Sequence, residues 1–200
     1  MKRDNSTFRQ KVALRRLTLK HVGAPVVMET HGGLGKIWSA CYRTVLDGVV
    51  FEKKPERAGF LARQRPTWAV YEADCVAAVR GGAGAHLEVN VLDVDPYGDP
   101  WPAIGAFFES ERPRAPAVYV MVNDGLRQGV RMCKAWSCGT LAGMVERFGN
   151  DLHGVYLDVC QELMKEKASQ AGYGLARFAG YYCGHAQMMT HYVAVLELEE

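Results

Sequence analysis

The chain lacks several features that would assign it to a specialised class of protein. It has no apolar run that approaches the length a membrane-spanning helix needs, about 18 residues. Its N-terminus lacks the apolar core of a secretory signal. None of its six cysteines forms a CxxC pair, and most lie in apolar runs, which indicates buried reduced thiols. Internal repeats and low-complexity tracts are absent, and the formal net charge is only +2. These absences predict a globular protein of the reducing cytoplasm.

The charge is distributed unevenly although its sum is small. The first twenty residues contain one acid, Asp4, and seven basic residues: Lys2, Arg3, Arg9, Lys11, Arg15, Arg16 and Lys20. Residues 5–20 are predicted to form a helix with an imperfect apolar face of Phe8, Val12, Leu14, Leu17 and Leu19. Such a helix can contact a polyanion or can simply be solvated, and the sequence leaves both interpretations open.

Apolar strand-like segments alternate with helical segments over most of the chain, which is typical of a parallel sheet. Strands are predicted at 24–28, 49–51, 68–71, 87–92 and 117–122, and a closing antiparallel pair at 175–183 and 188–198. Helices are predicted at 36–46, 55–63, 76–79, 101–109, 141–148 and 152–171. The expected fold class is α/β: a Rossmann-like, mostly parallel seven-stranded sheet with helices on both faces and a C-terminal antiparallel hairpin. One domain, 1–200, is expected, with a basic helix at 1–22 and the α/β core at 23–200.

Ligands bind such sheets at the carboxyl ends of the strands, so the residues that follow each strand are the candidates for a site. After the first strand, Glu29 precedes a loop with glycines at 32, 33 and 35. Glycines let the backbone approach a ligand closely, and the following helix offers free N–H groups. A phosphate-binding loop is disfavoured because Thr30 and Ile37 occupy the positions of its glycine and hydroxyl residues. The GxGxxG dinucleotide fingerprint also fails, at Trp38, which argues against an NAD-type oxidoreductase.

Acidic residues close the next two strands. Glu52, followed by Lys53, ends the second strand, where an acid can accept hydrogen bonds from both ribose hydroxyls of a nucleotide cofactor. Asp74 follows the third strand and precedes Cys75. Either acid alone could be a helix cap or a surface charge. Their succession at strand ends favours a binding role.

The fourth strand leads into Leu92-Asp93-Val94-Asp95-Pro96-Tyr97-Gly98. An Asp carboxylate and a Pro carbonyl can accept the two N–H hydrogens of an exocyclic amine, which orients its nitrogen for attack. The aromatic ring can stack on the target base, which in a duplex must first be flipped out. The pattern therefore indicates acceptor roles for Asp95 and Pro96 and a stacking role for Tyr97. A simple turn is the alternative, since Asp, Pro and Gly are turn formers.

The loop from Glu29 to Gly35 resembles the E/DxGxGxG loop of class I S-adenosylmethionine (SAM)-dependent methyltransferases, with His31 at the first glycine position. The fourth-strand motif is similar to that of amino-group methyltransferases, and most of all to the DxDPxG sequence of tRNA guanine N2-dimethyltransferases. The resemblance covers roughly residues 22–125 and does not extend to the additional C-terminal domain of those tRNA enzymes. It implies SAM as cofactor, held by Glu29, His31, Gly32, Gly33, Gly35, Glu52, Lys53, Asp74, Cys75 and Asp93.

The resemblance implies an N-methyltransferase for an exocyclic amine of a nucleobase, with RNA or DNA as partner and no membrane. The alternative is a non-catalytic module of the same fold that binds nucleic acid or a partner subunit; His31 and the missing recognition domain favour it.

Several further residues are assigned no catalytic or metal-binding role. Cys183, His185 and His191 are too tightly spaced for a usual zinc site, and no metal is expected. Cys133 and Cys138 lack the neighbouring His of a nucleophilic thiol. Asn123-Asp124-Gly125 is predicted to be a turn that borders the substrate pocket. Arg127, Arg131 and Lys134 could contact phosphates or could form a solvated helix face.

Overall fold

A computed structural model describes residues 7–132 and 139–199, which form one seven-stranded sheet surrounded by helices. The strands are β1 (Val26–Glu29), β2 (Asp47–Glu52), β3 (Ala69–Glu72), β4 (Val91–Val94), β5 (Ala117–Asp124), β6 (Tyr173–Cys183) and β7 (Met189–Leu198). They are arranged in the order β3-β2-β1-β4-β5-β7-β6. The first five are parallel, and β7 pairs antiparallel with both β5 and β6. The predicted α/β sheet with its closing hairpin is confirmed.

The helices follow the strands in alternation. They are α1 (Phe8–Leu19), α2 (Lys36–Cys41), α3 (Pro55–Gln64), α4 (Cys75–Arg80), α5 (Trp101–Glu109), α6 (Leu126–Met132), α7 (Gly139–Phe148) and α8 (Tyr156–Gln170), with short 3₁₀ turns at Asn150–His153 and His185–Gln187. No helix among the described residues is both long and apolar enough to cross a membrane.

Each face of the sheet carries its own apolar core, because successive side chains of a strand point to opposite faces. On one face, Val27, Val50 and Val91 pack with residues of α1, α2 and α3. On the other face, Met28 and Leu92 pack with residues of α4, α5, α7 and α8. The sheet is therefore covered on both sides, as the near-continuous apolar strands predict.

Several boundaries differ from the prediction. The fourth strand begins at Val91 rather than at residue 87. At Asn90 the backbone still bonds to both neighbouring strands, donating to the Val26 carbonyl (3.2 Å) and accepting from the Tyr119 N–H (2.8 Å). The Asn90 side chain accepts from the Val26 N–H (2.8 Å) and donates to the Ala24 carbonyl (2.8 Å), so the strand pairing with β1 goes no further toward residue 87. The predicted turn at 123–125 is wrong in part, because Asn123 and Asp124 are still in β5 and pair with β7. Helix α6 follows at once and contains Arg127 and Arg131, in agreement with the expected place of these residues on a helix.

Helix α1 packs most of its predicted apolar face inward, but that face also buries an arginine and leaves one leucine exposed. Leu17 is 59% exposed, whereas Arg15 is fully buried. Phe8, Val12 and Leu19 pack against the core beside β1. The buried arginine connects α1 to the carboxyl end of β4, as described below. Residues 1–6, 133–138 and 200 lie outside the described residues, and with them the predictions for Lys2, Arg3, Cys133, Lys134 and Cys138.

Candidate cofactor and acceptor site

The loop after β1 is closed tightly against β2 and α3. The N–H of Gly32 donates to the Phe51 carbonyl (2.9 Å), and the N–H of Gly35 donates to the Gly32 carbonyl (2.9 Å). A Cβ added at Gly32 would lie 2.5 Å from Leu61 Cδ1 and 2.7 Å from Val50 Cγ2, so no side chain fits there. Gly33 and Gly35 have φ values of +55° and +68°, a conformation that glycine adopts without strain. All three predicted glycines therefore have a conformational or steric reason to be glycine.

The carboxylate of Glu29, at the end of β1, lies inside the protein. Arg65, at the end of α3, donates to Glu29 Oε2 at 2.5 Å. The Arg65 guanidinium lies between the rings of Trp38 (5.1 Å) and Trp68 (5.2 Å). Burial raises the pKa of Glu29 to about 7, although Arg65 opposes the shift. A ligand at this loop would therefore meet the backbone around Glu29 rather than an open carboxylate.

His31 connects the glycine loop to the end of β3. Its Nδ1 lies 2.8 Å from Thr30 Oγ1, and its Nε2 lies 3.9 Å from Cys75 Sγ. Burial lowers the pKa of His31, and Lys53 adds to the effect against the pull of Asp95, Asp74 and Glu52. His31 is therefore neutral at pH 7. Charged residues that follow β2, β3 and β4 therefore act on an imidazole that follows β1.

Glu52 and Asp74 lie at the ends of β2 and β3, as predicted. Glu52 Oε1 accepts a hydrogen bond from the N–H of Lys54 (2.9 Å) and remains partly exposed. Asp74 caps α4 by accepting from the Ala77 N–H (3.0 Å) and forms an ion pair with Lys53 (2.5 Å). The hydrogen bond from Lys53 contributes most to the lowered pKa of Asp74. Both carboxylates lie at the rim, and Asp74 also has the helix-cap role that its position allows.

Asp93 is placed differently from the expectation that it faces the cofactor. Its carboxylate is buried and is held by three protein donors: Arg15 through Nε (2.7 Å) and Nη2, and the Tyr42 hydroxyl (2.5 Å). Burial alone would lower the pKa of Arg15, but Asp93 and Tyr42 outweigh it, so the pKa is raised and Arg15 stays charged. The carboxylate of Asp93 therefore binds α1 to the sheet and makes no contact available to a ligand.

Asp95 lies just beyond β4 and is paired with a second cation of α1. Lys11 Nζ is 2.6 Å from Asp95 Oδ1, and the two side chains are 17% and 20% exposed. Burial works to raise the pKa of Asp95, but Lys11 and Arg15 outweigh it, so the pKa lies below its usual value. Asp95 is therefore ionised at neutral pH, which is the state an acceptor of N–H donors requires.

The loop after Asp95 is held by the end of β5. The N–H of Gly125 donates to the Gly98 carbonyl (3.0 Å), and a Cβ on Gly125 would lie 3.2 Å from Gly98 Cα. This close approach fixes the residues between β4 and α5. Tyr97, within that loop, is 92% exposed, the largest exposure among the large hydrophobic side chains of the described residues. Most of the Tyr97 side chain therefore faces solvent.

A buried polar wall lies beside Asp95 where β5 meets β7. Asn123 and His191 are opposite each other in the register of the two strands, and both are fully buried. Asn123 contributes to the lowered pKa of Asp95, yet its amide atoms make no well-formed hydrogen bond with the described residues. His191 Nδ1 lies 3.2 Å from the Tyr181 hydroxyl, and its Nε2 is likewise unpaired among them. Burial lowers the pKa of His191 to about 4, with help from Lys11 and Arg15, so it is neutral.

Asp124 lies next along β5, within the core. Its Oδ1 accepts from the Leu126 N–H (2.7 Å) and its Oδ2 from the Tyr156 hydroxyl (3.0 Å). Burial raises the pKa of Asp124 to about 7, although these two hydrogen bonds oppose the shift. The pair of bonds connects the end of β5 to α6 and α8, behind the loop that carries Tyr97.

The sequence did not reveal the roles of Lys11, Arg15, Tyr42 and Arg65. A signal was present for two of them. Lys11 and Arg15 are spaced by four residues, on the same face of the helix as Phe8 and Val12, so they interrupt the apolar face instead of opposing it. Charges on an inward face predict buried partners. Tyr42 and Arg65 gave no comparable signal, because their partners are distant in the chain.

Three solved structures with a similar fold show which proteins share this architecture. The computed structure matches Trm1 from Pyrococcus horikoshii, solved with S-adenosyl-L-methionine, with a TM-score of 0.65, 13% identity and coverage of 96% of this chain and 54% of that one. It also matches the N-methyltransferase NodS from Bradyrhizobium japonicum WM9, solved with S-adenosyl-L-homocysteine (SAH). The TM-score is 0.63 and the sequence identity 13%, and the match covers 99% of this chain and 90% of that one. The match to TYW2 from M. jannaschii, solved with AdoMet, has a TM-score of 0.62 and 14% sequence identity. It covers 99% of this chain and 78% of that one.

The chain therefore shares the Rossmann-like architecture of these three proteins. Identities of this size establish architecture alone, and the chain spans just over half the length of the Trm1 chain. No protein-family profile matches the sequence, and no curated protein does. Within residues 7–132 and 139–199, no three His, Cys, Asp or Glu side chains come together as potential metal ligands.

Proposed function

We propose that the protein is a SAM-dependent N-methyltransferase that acts on an exocyclic amine, the target being a nucleobase in RNA or DNA. The observation that carries the proposal is the position of Asp95-Pro96-Tyr97. In a methyltransferase fold, this acid, carbonyl and exposed ring directly follow β4, within electrostatic reach of the glycine loop through His31.

The glycine loop fits a close-lying cofactor. Gly32 has no room for a side chain, and Gly33 and Gly35 turn the backbone through the left-handed region. Glu52 and Asp74 at the neighbouring strand ends supply carboxylates for ribose and adenine, and the N–H of Cys75 can donate to the adenine ring. When bound, SAM supplies a methyl group on a positively charged sulfur. Glu29 supports the loop from within, through its ion pair with Arg65.

Asp95 and the Pro96 carbonyl orient the acceptor amine. An exocyclic amine conjugated to a ring is a poor nucleophile, because its lone pair is delocalised. Accepting its two N–H hydrogens directs the nitrogen and stabilises the positive charge that develops on it. The pKa of Asp95 lies below its usual value, so its carboxylate is ionised, as this role requires. His191 Nε2, which has no hydrogen-bond partner among the described residues, lies in the neighbouring wall and can bond to a further polar group of the base.

Tyr97 and the outer face of α1 provide contacts to the nucleic acid. The exposed Tyr97 ring can stack on the base, which is worth about 1–3 kcal/mol for a single-stranded nucleotide. Arg9, Arg16 and Lys20 are exposed on α1 and can contact phosphates. Binding should then weaken steeply as salt is raised.

The test separates cofactor binding from transfer. With methyl-labelled SAM and RNA, DNA or protein pools, we expect wild-type protein to label an amine of one nucleic-acid pool, identified by mass spectrometry of its nucleosides. Asp95→Ala should abolish labelling while calorimetry still detects SAM binding. Glu109→Ala, at an exposed carboxylate of α5, is the control and should retain both. Full labelling by Asp95→Ala would contradict the proposal.

A non-catalytic module of the same fold is the second candidate, and one observation favours it. The carboxylates of Glu29, Asp93 and Asp95 are each paired with a cation of the chain itself. A protein of this second kind would bind SAM or nucleic acid but label no pool.

A further inference from the structure

Helix α1 places two cations on two carboxylates at the end of β4. Lys11 and Arg15 are one helical turn apart, so they point to the same side. Arg15 binds Asp93, and Lys11 binds Asp95 at 2.6 Å. Asp93 and Asp95 are two residues apart at the end of β4, so the helix matches the spacing of the two acids.

The two ion pairs are anchored very differently. Arg15 is fully buried, binds Asp93 through two nitrogens, and also donates from Nη1 to the Lys11 carbonyl (3.1 Å). Lys11 has one described side-chain contact and is partly exposed. A lysine ammonium is a strongly hydrated point charge on a flexible stem. Lys11 can therefore swing into solvent while Arg15 keeps α1 in place.

The Lys11 ammonium offers Asp95 what an acceptor amine would offer. It is a nitrogen that donates N–H hydrogens to the carboxylate at hydrogen-bonding distance. We infer that Lys11 occupies the position of the acceptor amine until a substrate arrives, and that the substrate amine displaces it from Asp95. This inference rests on the proposed function, because it uses the acceptor role of Asp95.

The groups around Asp95 make Lys11 the exchangeable charge. His31 from the glycine loop and His191 from β7 face Asp95, and both are neutral because burial lowers their pKa values. Asn123 is uncharged, and Arg15 is already paired with Asp93. Without Lys11, the negative charge of the Asp95 carboxylate has lost its ion-pair partner beside the glycine loop. SAM carries one positive charge more than SAH, so this change should favour SAM over SAH.

Calorimetry with SAM and SAH tests the inference without a known substrate. Lys11→Met should raise the ratio of SAM affinity to SAH affinity about three- to tenfold over wild type. Lys20→Met removes the same charge from the exposed end of α1 and should leave the ratio unchanged. In the double variant Lys11→Met/Asp95→Asn the increase should disappear. An unchanged ratio in Lys11→Met would overturn the inference, and thermal unfolding of each variant shows whether it is folded.

Transfer to RNA provides the second arm. With unfractionated RNA and labelled SAM, Lys11→Met should lower KM for RNA several-fold, because the amine no longer competes with the lysine. A raised KM would show that Lys11 helps to bind substrate, and would also overturn the inference. The two proposals fail separately. If wild-type protein binds neither SAM nor SAH, the proposed function falls. If it binds both and the variants show no change in ratio or KM, only the role of Lys11 falls.

Discussion

Gly32 is the residue of the glycine loop at which a side chain is least tolerated. Gly32→Ala would push a Cβ against Leu61 and Val50, so we expect the free energy of unfolding to fall by about 1–3 kcal/mol. SAM affinity should fall as the loop moves. Gly23→Ala is the matched control, because a Cβ at Gly23 meets nothing within 4 Å. Urea unfolding and calorimetry give both quantities, and equal stability of the two variants would contradict the packing described.

Tyr97 should contribute to nucleic-acid binding and not to stability, the opposite of the effect of Gly32 on folding. Because its ring is 92% exposed, Tyr97→Ala should change the free energy of unfolding by less than about 0.5 kcal/mol. Binding of single-stranded RNA or DNA should nevertheless weaken by about 1–3 kcal/mol, the value of one stacked base. Tyr97→Phe should restore binding, because it keeps the ring. Fluorescence anisotropy with a labelled oligonucleotide checks this, and unaltered affinity in Tyr97→Ala would exclude stacking.

At the scale of single residues, the sequence located the candidate acids but not their partners. Glu29, Asp93 and Asp95 were predicted from their places after apolar strands, and they lie at those strand ends. Their cations are 36, 78 and 84 residues away in the chain, so no local pattern connects them. For this reason Glu29 and Asp93 were expected to face a ligand, whereas they face arginines.

Helix α1 is the element whose role changes most. Its two adjacent arginines provide a matched pair of tests. Arg15→Met would leave Asp93 and the Tyr42 hydroxyl buried without their cation, which should cost about 3–5 kcal/mol of stability. Arg16→Met removes an exposed side chain that donates only to the Ala40 carbonyl, and should cost less than about 1 kcal/mol. Urea unfolding measures both, and similar losses would contradict the burial of Arg15.

At the scale of elements, helix and strand identity followed from the alternation of apolar runs, but some boundaries did not. The bounds of Trp101–Glu109 were predicted as found, because the segment is almost wholly apolar, follows Pro100 and has Pro102 in its first turn. The predicted start of β4 was wrong because the Asn90 side chain bonds to the Val26 N–H and the Ala24 carbonyl, contacts that the periodicity of apolar residues does not reveal. The bounds of α6 were not predicted, because Asn123-Asp124-Gly125 before it has the composition of a turn.

For the whole molecule, Asp124 predicts how stability depends on pH. Burial raises its folded pKa to about 7, above the unfolded value near 4, so the folded state holds a proton that the unfolded state releases. Its contribution is fully present below about pH 4 and is lost as pH rises through about 7. Asp124→Asn should flatten this decline and stabilise the protein at pH 8, whereas Glu162→Gln, on the exposed side of α8, should not. Urea unfolding from pH 5 to pH 8 checks it; an unchanged profile in Asp124→Asn would contradict a raised pKa.

The central claim is that the glycine loop of this fold binds SAM, and calorimetry tests it most directly. We expect SAM to bind wild-type protein with one site per chain, SAH to compete for that site, and NAD to give no heat. Gly32→Ala should weaken the binding, and Gly23→Ala should not. Absence of SAM binding to folded wild-type protein, or equal binding of NAD, would contradict the account.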